Sequence, residues 1–300
     1  MFCIEYIVAE FYAKVNKTMN KKAIFYAVLA AALYALNAPV SKLLLGEIPS
    51  TFLAGLLYLG AGTGMFILNK VKKDSDEQPL TRKELPYTIG IVVLDIAAPI
   101  SLMIGLTMCS AANASLLNNF EIVATAIIAL VVFKEKITPR LWAAIALVSI
   151  ASMLLSFEDL SSFSFSTGSL FVLLACICWG LENNCTRMLS SKNPAEIVII
   201  KGLCSGAGSV VISLVIGERY TYLPYIAVAL LLGFVAYGLS IYFYIYAQRY
   251  LSAAKTSAFY AVSPFIGAGL SLVVFAETPS LIFIIALAIM AAGTYLASVE

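Results

Sequence analysis

Histidine is absent from this 300-residue chain, and charged residues make up only 12% of it. Without histidine, the most common metal ligand and general base is missing. The closest pair of its six cysteines, Cys176 and Cys178, points to different sides of a helix because residues two apart do not share a helical face. The sequence therefore predicts no metal site, no cofactor and no disulfide framework.

A nucleotide-binding loop of the pattern GxxxxGK[ST] is also missing, and no patch interleaves basic with aromatic residues. The first absence excludes ATP-driven pumping by this polypeptide, and the second predicts no nucleic-acid partner. A nucleophile elbow is missing as well, so we do not expect an enzyme.

Apolar residues are what the chain has in excess, since 61% of it is hydrophobic and its mean hydropathy is +0.95. Soluble domains are much less apolar. The sequence predicts an all-α, polytopic membrane protein in which ten stretches are long enough to cross about 30 Å of hydrocarbon. They are residues 22–45, 50–69, 85–106, 110–132, 140–157, 168–190, 194–217, 222–246, 252–275 and 280–298.

One segment of the chain occurs twice. Residues 110–135 align without a gap on residues 252–277, and each copy begins with Ser-Ala-Ala and ends with a Leu-Val-Val-Phe run before a glutamate. Weaker identities upstream extend the match, so we predict two five-span repeats, residues 20–157 and residues 168–298. Because five is an odd number, the second repeat must enter the membrane upside down relative to the first.

The distribution of basic residues predicts the orientation. With the N-terminus inside, the cytoplasmic segments hold sixteen Lys and Arg residues and the outer segments hold two, Lys42 and Arg219. Short cytoplasmic loops collect Lys and Arg, so we expect both termini on the cytoplasmic side of the cell membrane. Residues 1–18 are interpreted as an N-terminal tail outside the helical core.

The repeated segments resemble a known family. SAANASLLNNFEIVATAIIALVVFKEKIT and SAAKTSAFYAVSPFIGAGLSLVVFAETPS are similar to the fourth and ninth spans of the EamA family of the drug/metabolite transporter superfamily. The resemblance implies a transporter that moves small organic solutes, often outward, through a central cavity lined by spans one to four and six to nine. Spans five and ten are expected at the periphery. The chain departs from the family's proline-rich fourth span, since Glu121 stands where the second copy has Ser263 before Pro264.

Two carboxylic acids are predicted near the middle of the membrane. Asp95 lies about ten residues into span three and Glu121 about eleven residues into span four, which at about 1.5 Å per residue puts both at the midplane. Ionisable groups in hydrocarbon need a partner or a water-filled cavity. One hypothesis is that the two acids share a proton and couple transport to it. The alternative is that each is hydrogen-bonded separately to an amide such as Asn118 or Asn119.

A second pair of ionisable residues is predicted at one depth on antiparallel neighbours, Glu182 in span six and Lys201 in span seven. A buried ion pair avoids two separate desolvation costs. The pair is interpreted either as a gate that opens during alternating access or as a static structural contact.

Amides and aromatic rings complete the candidate solute-binding set. Asparagines on membrane helices usually join helices, but the predicted cavity spans hold six of them. Aromatic rings can pack an organic or cationic solute, or serve as lipid anchors and core residues. The candidate solute-binding amides and aromatic residues are Asn37, Asn118, Asn119, Asn183, Tyr34, Trp179 and Tyr260. Glycine-rich stretches, in contrast, are interpreted as helix contacts.

The sequence thus favours a secondary transporter of a small organic metabolite, working by alternating access in the lipid bilayer, with export and proton coupling as open refinements. A non-transporting membrane sensor or scaffold, or a membrane enzyme acting on a lipid-like substrate, are the alternatives. The expected partners are a small organic solute and the lipid bilayer, with a homodimer as an open alternative to a monomer.

Overall fold

The computed structural model describes residues 21–72, 78–134, 138–159, 164–189, 191–248 and 259–298. The predicted N-terminal tail, the start of the second repeated segment and Glu135 lie outside these residues. The described helices are α1 (Lys21–Leu44), α2 (Ser50–Lys72), α3 (Leu85–Met108), α4 (Ala111–Val132), α5 (Pro139–Ser156), α6 (Thr167–Leu189), α7 (Pro194–Val215), α8 (Leu223–Ala247), α9 (Ser263–Val274) and α10 (Leu281–Ser298).

Among the described residues, seven helices are long and apolar enough to cross a membrane, and α5, α9 and α10 are shorter apolar helices. The predicted polytopic membrane protein is confirmed at this level, whereas ten spans remain a prediction. One detail differs from an all-α chain. Between α5 and α6, strand β1 (Phe157–Asp159) pairs antiparallel with strand β2 (Ser164–Phe165).

The distribution of polar and apolar side chains is that of a protein surrounded by lipid. Val215 and Val273 are each 80% exposed, whereas Asp95 is fully buried. Serines, asparagines and the charged groups of Asp95, Glu182 and Lys201 are buried among the apolar side chains of the interior. The charged groups of the predicted spans therefore face other helices rather than the surrounding lipid.

Helix pairing separates a core from an edge. The strongest packing joins α3 to α6, α5 to α10, and α2 to both α7 and α8. Helix α4 packs on α6 and α9. Since α5 and α10 pack mainly against each other, the helices with the buried charges form the rest of the bundle.

Glycines let α2 approach its neighbours closely. A Cβ atom placed on Gly60 would lie 2.1 Å from the carbonyl oxygen of Leu230 in α8, and one placed on Gly202 of α7 would lie 2.3 Å from the backbone nitrogen of Gly62. No side chain fits at such distances. The structure therefore supports the interpretation of these glycines as helix contacts.

Three helices are interrupted inside the bundle. A turn at residues 35–36 divides α1, a turn at residues 118–119 divides α4 into Ala111–Leu117 and Phe120–Phe133, and a turn at residues 261–262 precedes α9. In α1 the cause is Pro39, which has no N–H group for the carbonyl of Ala35, four residues earlier. Interrupted helices inside a membrane protein expose backbone polar groups to an internal site.

Candidate functional site

Three charged side chains meet inside the bundle and are called the ion cluster here. Lys201 Nζ lies 2.7 Å from Glu182 Oε1 and 3.1 Å from Asp95 Oδ2. All three side chains are at most 5% exposed. The predicted pair of Glu182 and Lys201 is present, and Asp95 joins it from α3. The ion cluster contains two carboxylates and one ammonium group, so its formal charge with all three ionised is −1.

The backbone of α7 changes conformation at the lysine. Residues Lys201–Ser205 form a π-helical turn, and a second π-helical segment, Gly233–Leu239, lies in α8. Such turns are rare and occur often at functional sites. Lys201 therefore projects from an irregular turn that connects two α-helical halves of α7.

Neutral side chains surround the ion cluster. The Tyr58 hydroxyl donates to Asp95 Oδ1 at 2.9 Å, and Trp179 Nε1 donates to the Tyr58 oxygen at 3.5 Å. Thr186 donates to Glu182 Oε1. Trp179 is among the site residues predicted from the sequence, but Tyr58 is not. The signal for Tyr58 is a tyrosine inside an apolar span, because a phenol hydroxyl needs a hydrogen-bond partner when it is buried.

Glu121 lies apart from the ion cluster in its bonding. It accepts a hydrogen bond of 2.5 Å from Asn183 Nδ2, and the same nitrogen lies 3.4 Å from Thr125 Oγ1. Among the described residues Glu121 has no ion pair. Asp95 contacts Lys201 and Glu121 contacts Asn183, so no contact between the two acids is seen among the described residues, and proton sharing between them stays a prediction. The alternative of an amide partner applies to Glu121, although the amide is Asn183.

The amides do not act as one group. Asn119 accepts a hydrogen bond of 3.5 Å from Thr294 Oγ1 of α10, which directs it toward the edge of the bundle. Asn184 donates to the carbonyl of Gly180 in its own helix at 2.8 Å and to that of Thr125 in α4 at 3.3 Å. These two amides join helices. Asn37 and Asn118 instead lie beside a small cavity.

Aromatic rings connect the ion cluster with the small cavity beside Asn37 and Asn118. Ring centroids are 5.7 Å apart for Tyr34 and Tyr237, 5.8 Å for Tyr34 and Tyr260, and 5.2 Å for Tyr58 and Tyr237. These separations are typical of packed aromatic pairs. A continuous series of rings therefore runs from Tyr58, beside the ion cluster, through Tyr237 and Tyr34 to Tyr260.

The small cavity lies where the interruptions of α1, α4 and α9 meet. Its lining includes Asn37, Ser115, Asn118 and Ser263, with the ring of Tyr34 beside them. The cavity has room for about one water molecule. Asn37 Nδ2, Ser115 Oγ and Ser263 Oγ are buried there without a hydrogen-bond partner in the part of the chain that is described. Sequence reasoning missed both serines.

Metal binding finds no support in the described part of the chain, where no group of three or more Cys, Asp or Glu side chains is placed to hold an ion. The described cysteines are free thiols. The chemistry of the interior is therefore that of ion pairs, amides, hydroxyls and aromatic rings.

Comparison with known proteins identifies the family. The model of the EamA-like transporter family matches the chain twice, over residues 21–157 and residues 166–299. The chain belongs to this family. It is thus a multi-pass membrane protein of a transporter class, as the resemblance of the repeated segments indicates.

Individual relatives are distant from this member of the EamA-like family. An uncharacterized transporter of Methanothermobacter thermautotrophicus is 23% identical over 290 residues, which cover 90% of this chain and 84% of the relative. A solved crystal structure that is 16% identical covers 92% of this chain and 96% of its own, with a TM-score of 0.68. The second likeness shows a shared fold only.

The two family matches contain different chemistry at equivalent places. In the sequence alignment of the repeats, Asn37 of α1 corresponds to Glu182 of α6, and Tyr34 corresponds to Trp179. The first match therefore has a neutral amide where the second has a carboxylate. The amide lies at the cavity and the carboxylate in the ion cluster.

Proposed function

We propose that this protein is a secondary transporter that exports a small organic metabolite by alternating access. Two inverted five-helix repeats, residues 20–157 and residues 168–298, would rock against each other, with both termini in the cytoplasm. Membership of a transporter family and the buried polar interior support this proposal.

The observation that carries the proposal is the ion cluster. Asp95 belongs to the first repeat, and Glu182 and Lys201 belong to the second, so the ion cluster links the two halves. Any movement of one repeat against the other changes these distances. Ion pairs that form in one state and open in another are a common device for stabilising one conformation over another. We assign the ion cluster to a gate that stabilises the arrangement of helices seen in this structure.

Glu121 is our candidate for a proton-coupling group. Lys201 partly neutralises Asp95 and Glu182, whereas among the described residues Glu121 has the neutral amide of Asn183 as a hydrogen-bond partner and no ion pair. A carboxylate buried without a cation is costly, and a bound proton removes that cost. The group can thus take up a proton when the site faces one side of the membrane and release it on the other.

Solute flux in proteoliposomes tests the proposal. We expect the purified protein to release a preloaded metabolite, from a panel of amino acids, nucleosides, sugars, amines and organic acids, faster than protein-free vesicles do. A pH gradient should change the rate if Glu121 couples transport to protons. Absence of flux for every member of the panel would favour a sensor or scaffold, and chemical conversion of a solute would favour an enzyme.

A further inference from the structure

Helices α2 and α7 pack against each other in opposite directions. A Cβ atom placed on Gly55 of α2 would lie 2.6 Å from the side chain of Val210 in α7, and one placed on Gly62 would lie 2.5 Å from the backbone nitrogen of Leu203. Residue numbers thus rise along one helix where they fall along the other. Each helix therefore begins beside the end of the other, and their first turns lie at opposite ends of the bundle.

At the start of α7, the connection between α2 and α3 is bonded to the second repeat. The Asn193 N–H group donates to the carbonyl of Gln78 at 2.9 Å. The Leu80 N–H group donates to Glu196 Oε2 at 2.9 Å, and Glu196 belongs to the first turn of α7. Two backbone groups of the connection are thus bonded to residues on either side of the point where α7 begins.

An ion pair adds a third contact at this end. Lys192 Nζ lies 3.5 Å from Glu84 Oε1, and the two side chains are only 14% and 18% exposed. The Thr81 N–H group donates to the other carboxylate oxygen of Glu84 at 2.8 Å, so the same side chain also fixes the turn that leads into α3. The three contacts between residues 78–84 and residues 192–196 are called the loop contact here.

The loop contact and the ion cluster lie on the same three helices. Glu84 directly precedes α3, Lys192 follows α6, and Glu196 is in the first turn of α7. The ion cluster joins these helices deeper in the bundle. Since residues 78–84 belong to the first repeat and residues 192–196 to the second, any movement that separates the ends of these helices must break the loop contact.

The opposite end of the pair formed by α2 and α7 has a smaller counterpart. The Phe52 N–H group, in the first turn of α2, donates to Glu218 Oε2 of the connection between α7 and α8 at 3.0 Å. A carboxylate is favourable there, because the first N–H groups of a helix have no partner within it. Pro49 before α2 aligns with Pro194 at the start of α7, so the two contacts are equivalent in the repeats. Among the described residues, one hydrogen bond joins the segments at this end, against two hydrogen bonds and an ion pair at the other.

We propose that the loop contact is a latch, which holds the ends of α3, α6 and α7 together and is released when the cytoplasmic side of the protein opens. The cytoplasmic position and the opening step rest on the proposed function. Hydrogen bonds and ion pairs near the surface are each weak, so the latch opens and closes without unfolding of the helices. The connection between α2 and α3 thereby acts in the transport cycle at the membrane face, in addition to the ion cluster within the bundle.

Two native cysteines report separately on the two ends of α3. Cys185 of α6 lies near the loop contact, beside Gly90 of α3, since a Cβ atom placed on that glycine would lie 3.3 Å from the Cys185 sulfur. Cys109 directly follows α3 at its other end. Both are free thiols of intermediate exposure, so alkylation by a maleimide measures how often each end opens. Peptide mass spectrometry of the purified full-length protein gives the two rates separately.

Loss of one partner in the loop contact should speed alkylation at one end only. Glu196→Ala removes the acceptor of the Leu80 N–H group, so alkylation of Cys185 should be about fivefold faster, as expected for the loss of one hydrogen bond. The rate at Cys109 should stay unchanged. Glu196→Gln keeps an acceptor oxygen and should restore the slow rate. Glu218→Ala is the matched control, because it removes the contact at the opposite end and should leave Cys185 unchanged.

A second variant tests the latch from the first repeat. Glu84→Gln removes the ion pair with Lys192 and keeps an oxygen for the Thr81 N–H group, so the turn before α3 is retained. Because ion pairs near the surface contribute little, alkylation of Cys185 should be about twofold faster.

Three outcomes would overturn the inference. One is an unchanged rate at Cys185 in both Glu196→Ala and Glu84→Gln. Another is an equal rise at Cys185 and Cys109, which would indicate general loosening of the bundle. The third is a rise at Cys185 in Glu218→Ala as large as that in Glu196→Ala.

Flux in proteoliposomes separates this inference from the function on which it rests. Flux of a solute together with unchanged alkylation in the variants would remove the latch and leave the transport proposal. The expected alkylation pattern without flux of any solute would retain the loop contact as a conformational latch and remove the transport proposal.

Discussion

The ion cluster and the cavity satisfy their polar groups in opposite ways, although Glu182 of the ion cluster and Asn37 of the cavity are equivalent in the alignment of the two repeats. In the ion cluster, Lys201 contacts two carboxylates and Tyr58 caps one of them, so the charges are bound to one another. At the cavity, Asn37, Ser115 and Ser263 retain donors that nothing in the described chain uses.

The ion cluster is suited to stabilising a conformation, whereas the cavity is suited to binding a ligand. Charges that neutralise each other inside a protein have little capacity left for a solute, and their geometry depends on the relative position of the helices that bear them. Neutral groups with free donors cost less to keep without a partner and are available to a ligand. The ion cluster thus joins α3, α6 and α7, whereas the cavity between α1, α4 and α9 keeps serine hydroxyls without a hydrogen-bond partner among the described residues.

The largest effect is expected from Lys201→Met, which removes the ammonium group of the ion cluster. Removal of the ammonium group leaves Asp95 and Glu182 buried without a counter-charge, and breaking a buried pair in this way costs about 3–5 kcal/mol. Thermal unfolding in detergent and flux in proteoliposomes measure the two consequences. If the ion cluster is a gate, the variant loses a larger fraction of transport activity than of folded protein. If it is a static contact, the two fall in parallel.

A neutral triple variant sharpens this test. Lys201→Met combined with Asp95→Asn and Glu182→Gln removes all three charges, so most of the lost stability should return. If the ion cluster is a gate, transport stays impaired although the protein is stable. Recovery of wild-type flux by the triple variant would show that the charges are not needed for the transport cycle.

A smaller effect is expected from Tyr58→Phe. This change removes the hydroxyl that donates to Asp95 and keeps the ring packed against Tyr237. A hydrogen bond to a charged group contributes about 1.5–3 kcal/mol. The melting temperature should fall by less than in Lys201→Met, and Tyr26→Phe, in which the ring pair with Phe243 is kept, serves as the control that should change little. A loss as large as that of Lys201→Met would mean that the phenol, not the lysine, holds Asp95 in place.

The position of each residue along its span was sufficient to predict one contact of the ion cluster, the one between Glu182 and Lys201. Glu182 and Lys201 lie at one depth on antiparallel neighbours in sequence, and such neighbours usually pack together, so their contact follows from counting residues. Asp95 is on α3, and its contact with Lys201 depends on the packing of α3 against α7, helices separated by three others in the chain. Sequence spacing instead suggested the adjacent acid, Glu121.

The serines of the cavity could not be predicted from the sequence, for a different reason. Most serines in membrane helices bond to a carbonyl of their own helix, as Ser101 does to Ala97 and Ser271 does to Gly267. Nothing in the sequence distinguishes these from Ser115 and Ser263, whose hydroxyls have no hydrogen-bond partner in the described part of the chain. Only the meeting of three helix interruptions, at residues 35–36, 118–119 and 261–262, shows which hydroxyls face a cavity.

The smallest effect on stability, and the sharpest on function, is expected from Glu121→Gln. The glutamine keeps an oxygen that can accept the hydrogen bond from Asn183, so the melting temperature should change little. Because the amide cannot exchange a proton, a pH gradient should no longer alter the flux rate, while solute should still move down its own gradient. Glu182→Gln is the matched control, since it alters a carboxylate that is paired with Lys201 and should leave some dependence on the pH gradient. Wild-type response to the gradient in Glu121→Gln would remove this residue from the coupling mechanism, and the ion cluster would become the site at which protons act.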